Sequence, residues 1–289
     1  MKISHPLQVA GALLFLAISA HLPTCLGQGT LTPPTPPGPV MLTLSQLEPR
    51  TPVDAIHTPG NGTVEFAITN AGSYYLTTNL FGASGQGGIG IYTNDVTLDL
   101  NGFSLQGSSA GLIGIQAYSG TTNVIVENGL VSGWVQDGVY CVAYDGILQN
   151  LSAVGNGSSG LAVANVGQVK NCTASDNQGN GISVIANGCL ISANVCNENN
   201  QANINGNGGI VVLAANTRIE NNHLTGNTGY GIEIEATLGG TNNIVVGNSV
   251  QGDGAKDYFY STSQIVGPIM TNNATGIITN SNPWANFQF

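Results

Sequence analysis

From residue 61 onward the chain repeats one short theme. Apolar side chains alternate with polar ones over three to five positions, as in Ile182 and Val184 or Val124 and Val126, until Asn, Gly and Ser interrupt them. A period of two broken this often predicts short strands, and no stretch sustains the 3.6-residue period of a helix. Gly followed by an aliphatic residue recurs at Gly90, Gly114, Gly138, Gly160, Gly181, Gly209 and Gly231, with gaps of 24, 24, 22, 21, 28 and 22 residues. A second series follows at Leu76, Leu100, Val126, Leu148, Val169, Ile191, Ile219, Val245 and Ile269. A third lies five residues further on, at Phe81, Leu105, Val131, Ala153, Ala174, Cys196, Leu224, Val250 and Ala274.

Strands that recur once per turn at the same level must stack parallel and in register, each coil about 4.8 Å above the last. The spacing therefore predicts an all-β, single-stranded parallel β-helix of about nine coils. The stretch "GNGISVIANGCLISANVCNENN" is one such coil, and the enlarged turn "QANINGNGG" after it accounts for the 28-residue gap. Asn128, Asn150, Asn171 and Asn221 each stand two residues after the second series. They are expected to lie buried at a bend and to pass amide hydrogen bonds to the next coil. Leucine-rich and hexapeptide repeats, the rival solenoids, would show Leu dominance or a period of six, and neither appears. The open ends of a solenoid need terminal caps. Met41, Leu42, Leu44 and Leu47 are candidates at one end, and Trp284, Phe287 and Phe289 at the other.

The first 60 residues have another texture. Residues 1–27 read as an export signal, with Lys2, an apolar run over 11–18 and a small-x-small cleavage site at Cys25–Gly27. Lipid attachment at Cys25 is the rival reading, but Pro23 and Thr24 fit it poorly. Residues 28–60 hold eight of the twelve prolines and predict a stiff linker with an N-terminal cap, leaving 61–289 as the β-helix domain. The expected location is secreted or cell-surface, with no membrane span, since no later stretch approaches the roughly 20 apolar residues one requires.

Composition narrows the partners. Only 7% of residues are charged and 42% are hydrophobic, which excludes a disordered chain. The formal net charge is −10, one unit more negative once the segment carrying Lys2 is removed, so nucleic acid is not an expected partner. Cys141, Cys172, Cys189 and Cys196 remain after that removal. The register puts no two of them level on adjacent coils, which favours buried thiols over disulfides.

Chemistry on such a fold must sit on its outer surface. The residues two and four after each Gly should face outward, giving Tyr92, Gln116 and Tyr140 in one column, with Tyr118 beside them and Trp134 just upstream. Flat rings of this kind suit a sugar platform, and ordinary cross-strand pairing explains them equally. In "GIEIE", Glu233 and Glu235 should share one face about 6.6 Å apart. That spacing lies within the roughly 6.5–9.5 Å of an inverting glycosidase, with Val211 and Leu213 as apolar neighbours; a solvated acidic edge is the alternative. On the next sheet Asn101, Glu127, Gln149, Lys170, Ser192 and Glu220 form a column, with Arg218 and Asp99 alongside. Asp176 and Glu198, flanked by Asn177 and Asn199, occupy equivalent turns and could share a Ca²⁺. No other cofactor is expected.

The segments "GSYYLTTNL", "VTLDLNGFSL" and "NPWANFQF" resemble exported bacterial repeat proteins of the pectate-lyase-like group of parallel β-helices, over about residues 60–289. The resemblance implies right-handed winding, three sheets and an extracellular polysaccharide or surface glycan as partner. The group's hydrolases carry "NTD", "DD" and "GHG" segments, its epimerases "DPH" and its Arg-based lyases R-x-P-x-x-R, and this sequence has none of them. Two functions follow as expectations. One is binding or processing of polysaccharide, with Glu233 and Glu235 as acid and base and Tyr92, Tyr118, Trp134 and Tyr140 as contacts. The other is a non-catalytic structural or adhesion module.

Overall fold

The computed structural model describes residues 48–235, 239–261, 264–271 and 281–289. The expected signal, the capping residues Met41, Leu42, Leu44 and Leu47, most of the Pro-rich stretch and Ala274 lie outside them. Residues 48–289 form one compact unit. Among the described residues every regular element is a strand, and no helix is long and apolar enough to cross a membrane.

The strands stack as a parallel β-helix of about nine coils. The first sheet holds nine strands, from Val64–Ile68 through Ile115–Ala117 and Ile182–Val184 to Tyr230–Ile234 and Lys256–Tyr260. The second and third columns of strands merge into one 18-stranded sheet, because Val124–Ser132 and Ile147–Val154 run unbroken through the bend between them. Inside, like residues lie above like: Ile89, Ile115, Val139, Leu161, Ile182, Ile210 and Ile232 form one column, all fully buried. Each such side chain contributes roughly 1.5–3 kcal/mol of burial, which offsets the entropy of ordering its coil.

The central register is the one that the spacing predicts. Val126, Leu148, Val169, Ile191, Ile219 and Val245 share a column. At the ends it differs. Below Val126 stand Leu98 and Tyr74, not Leu100 and Leu76; Leu80 rather than Phe81 pairs with Leu105; and Val266 rather than Ile269 lies above Val245. Leu98 and Leu100 are both fully buried, so alternation alone cannot separate registers two residues apart. The early coil spends its two extra residues on a wider bend through Asn101 and Gly102, both at positive φ. Gly129 accommodates that bend, for a Cβ there would meet the Leu100 Cβ at 2.4 Å.

The asparagines divide into two roles, and the expected one belongs to a different set. Asn128, Asn150, Asn171 and Asn221 have φ of 61°, 53°, 55° and 56° and lie at the surface, where Asn150 Nδ2 donates to Asn128 Oδ1 at 3.2 Å; Asn serves there chiefly because it tolerates the left-handed region. The buried ladders run through Asn156, Asn177, Asn199 and Asn227 at one corner, and through Asn194, Asn222, Asn248 and Asn286 at another. Each Nδ2 donates to the Oδ1 of the next coil at 2.9–3.1 Å. Asn177 and Asn199 also donate to the carbonyls of Ala153 and Ala174 behind them, so the corner leaves no amide hydrogen unpaired.

The stack begins earlier than the proline content suggests. Thr51–Pro52 pairs with Tyr74 and Tyr75, and Val53 is buried, so residues 48–60 belong to the first coil. At the far end Tyr258 and Tyr260 continue the inward columns above Ile232 and Ile234 and close the core. The Tyr258 hydroxyl lies 3.1 Å from the carbonyl oxygens of both Asn248 and Phe287. Of the expected caps, Phe287 is half-buried in a strand, whereas Trp284 and Phe289 stand in solvent. The four cysteines are free and buried, and burial pushes the Cys141, Cys172 and Cys189 thiols up to about 11, as inert core residues require.

Candidate functional site

The outer face of the first sheet carries most of the predicted site residues, in two columns rather than one. Tyr140 lies level with Gln116 and Gly90. Tyr92 and Tyr118 follow Ile91 and Ala117 and form the neighbouring column with each other. Their rings stack, with centroids 4.4 Å apart and planes 16° apart. The Tyr92 hydroxyl donates to that of Tyr118 at 3.2 Å, and Asn61 Nδ2 donates to Tyr92 at 3.0 Å. Gly90 permits this arrangement, because a Cβ there would strike the Tyr92 ring at 2.7 Å. Burial, reinforced by the Tyr92 hydroxyl, pushes the Tyr118 phenol up to about 12, so that ring is neutral at any physiological pH.

Tyr118 also walls a shallow pocket of about 110 Å³, together with Gln116, Gln136, Leu112, Thr63, Val64 and the backbone of Gly87 and Ile113. It contains no charged side chain. Two amides and a hydroxyl supply donors and acceptors while Tyr118 and Leu112 supply apolar surface, a lining suited to a neutral, hydroxyl-rich ligand. Gln136, Leu112 and Thr63 are absent from the sequence reading because they sit on turns, where the strand register does not determine position.

Trp134 is corrected outright. It is 1% exposed and points into the core, where its Nε1 donates to the Leu105 carbonyl at 3.2 Å. Gly82, Gly88, Gly111 and Gly114 surround the indole, and a Cβ on any of them would approach it to 3.0 Å or less. The ring is unavailable to a ligand.

Glu233 and Glu235 occupy successive outward positions of Tyr230–Ile234. Glu233 is 2% exposed, level with Val211 on one side and Phe259 on the other, and the Phe259 ring stacks on Tyr230 with centroids 4.9 Å apart. Desolvation, then the charge of Glu235, then a hydrogen bond with the Glu235 side chain push the Glu233 carboxyl up to about 7. Its Oε2 is buried and has no hydrogen-bond partner. The charge of Glu235 thus adds to burial in favouring the protonated form of Glu233.

The remaining candidates are less concentrated. Asp99, not Asn101, is level with Glu127 in the column of Gln149, Lys170, Ser192 and Glu220. Glu127 accepts from Gln149 Nε2, Asp99 pairs with Arg50 at 2.9 Å, and Arg218 Nε donates to Glu220. Asp176 and Glu198 are neighbours on an exposed turn at positive φ. The amide oxygens of Asn177 and Asn199, however, are engaged in the ladder, leaving two carboxylates of the four-residue Ca²⁺ set. His57 lies beside Asp54 at 2.9 Å, and His223 is exposed.

A stacked column of parallel strands with amide ladders at its corners defines a parallel β-helix protein. Two solved structures show what it resembles. The Dettilon tailspike protein (gp208) aligns with a TM-score of 0.52 at 13% identity, over 78% of this chain and 50% of that one. The A-module of the mannuronan C-5 epimerase AlgE4 of Azotobacter vinelandii aligns at 0.42 and 16% identity, over 73% and 62%. The chain thus spans half the length of the tailspike, and at 13% identity that likeness is one of fold. No protein-family profile and no curated protein sequence matches it.

Proposed function

We propose that this chain is an exported glycan-binding β-helix that holds neutral polysaccharide on the outer face of its first sheet and does not hydrolyse it. The observation carrying this reading is the uncharged pocket closed by Tyr118, on a protein whose net charge is −10. An acidic surface disfavours polyuronates by long-range repulsion, while aromatic, amide and hydroxyl groups bind neutral sugars without any charge. Tyr140 and Gln116 extend the pocket, and Glu235 lies on the column of Tyr118 five coils away, about 24 Å along the axis. A chain of several sugars laid along the axis would therefore run past both. Glu233, 2% exposed, is closed off from a ligand on that face, which favours a binding role over two-carboxylate hydrolysis, and the signal-like segment 1–27 supports an extracytoplasmic location.

The test is a glycan array followed by affinity measurement on the best ligand. Tyr118→Ala should lose about tenfold or more in affinity, the equivalent of 1.4 kcal/mol or more, and no new reducing ends or unsaturated products should form. Retention of full affinity in Tyr118→Ala would place the ligand elsewhere. Release of cleaved product by the wild type, abolished in Glu233→Gln, would restore the catalytic alternative.

A further inference from the structure

The two tryptophans of this chain have opposite fates. Trp134 is sealed in the core, whereas Trp284 is 55% exposed although its backbone is held tightly. Its amide donates to Asn282 Oδ1 at 2.9 Å. Its carbonyl packs against Gly267, where a Cβ would sit 1.8 Å away, so the approach requires glycine. The next two residues, Ala285 and Asn286, are buried, and Asn286 Nδ2 donates to the carbonyls of Val245 and Gly267. A large aromatic side chain is thus held out into solvent by a fixed stretch of backbone.

What it faces is a cleft of about 330 Å³, whose lining includes Arg218, Ile244, Ile265, Pro268, Asn282 and Trp284. The Arg218 guanidinium stands 5.8 Å from the indole centroid. Its Nε is bound to Glu220, which leaves its two terminal nitrogens to serve as donors and the second Glu220 oxygen as an acceptor. Ion pairing cancels the charge of the two side chains without consuming their hydrogen-bonding capacity. A carboxylate ligand would have to compete with Glu220 for the guanidinium. A vicinal pair of hydroxyls would instead accept from Arg218 and donate to Glu220, while the apolar face of its ring lies on Trp284.

We infer that the cleft lined by Arg218 and Trp284, with Glu220 paired to its arginine, is a second saccharide subsite, for a neutral pyranose. It belongs to a different sheet from the tyrosine pocket and shares the ligand class of the function proposed above, but none of its residues. The test reads Trp284 emission during titration with cellohexaose, xylohexaose, mannohexaose and hexagalacturonate; Trp134, being buried, contributes a constant background. At least one neutral hexaose should shift the Trp284 emission to the blue, in the wild type and equally in Tyr118→Ala. Arg218→Met and Glu220→Gln should each weaken that response about tenfold with unchanged thermal unfolding. Two results would overturn the inference: no emission change with any neutral hexaose, or hexagalacturonate as the tightest of the four. Because Tyr118→Ala removes the first site alone, a lost tyrosine site with an intact Trp284 response, or the reverse, shows which of the two proposals fails.

Discussion

One residue type, asparagine, does two jobs here. At Asn150 and Asn171 the backbone enters the left-handed region and the side chain faces water; at Asn199 and Asn222 the side chain is a rung inside the corner. Asn199→Leu should therefore cost about 1–3 kcal/mol for each buried partner left unpaired, whereas Asn150→Gly should be close to neutral. Urea unfolding of the two variants decides between them. Glu233 and Asp253 make a second residue-scale case. Both carboxyls are pushed up to about 7, chiefly by desolvation, from ordinary values of 4.5 and 3.8. The folded state then keeps protons that the unfolded chain has already released. Stability should accordingly be highest below pH 4 to 4.5 as far as these groups are concerned, fall as pH rises, and level off above 7. The Glu233 contribution is on the order of 1–3 kcal/mol. Thermal unfolding of Glu233→Gln should show a flatter loss of midpoint between pH 5 and pH 8 than the wild type; an unchanged slope would place that carboxylate in solvent.

At the scale of the element, the central coils were legible because each places one apolar residue per strand at a fixed distance from the last, as Val169, Ile191 and Ile219 do. The early coils were not, because Leu98 and Leu100 both point inward and periodicity does not say which one faces Val126. The site followed the same division. Tyr118 and Tyr140 lie in neighbouring columns of the first sheet because strand register fixes them, but Tyr92 belongs with Tyr118 and not with Tyr140, since Gly90 is level with Gln116 rather than with Gly114. Trp134 escaped altogether, since its destination is set by glycines of two distant stretches, 82–88 and 111–114, rather than by its own neighbours. Those contacts carry a prediction: Trp134→Ala leaves a large void and should destabilise by about 3–5 kcal/mol. Trp134→Phe should recover part of that, and chemical denaturation gives both values.

Considered together, the described residues of 48–289 share one continuous core. Limited proteolysis should trim it from the N-terminus to near Glu48 and then stop, and mass spectrometry of the resistant fragment checks the boundary. A stable cut within residues 114–252 would contradict a single cooperative stack. Within the stack the amide ladders have a direction. Every rung gives its Nδ2 hydrogen toward the C-terminal coil and takes one from the coil before, so all the amide dipoles of a ladder point the same way. The series that begins at Asn156 changes character at Asp253, which accepts from Asn227 and donates only its backbone amide, to Asp257 Oδ1. The side-chain relay therefore closes inside the chain, one coil short of the last strands, and leaves no amide rung at that corner for a further coil to continue.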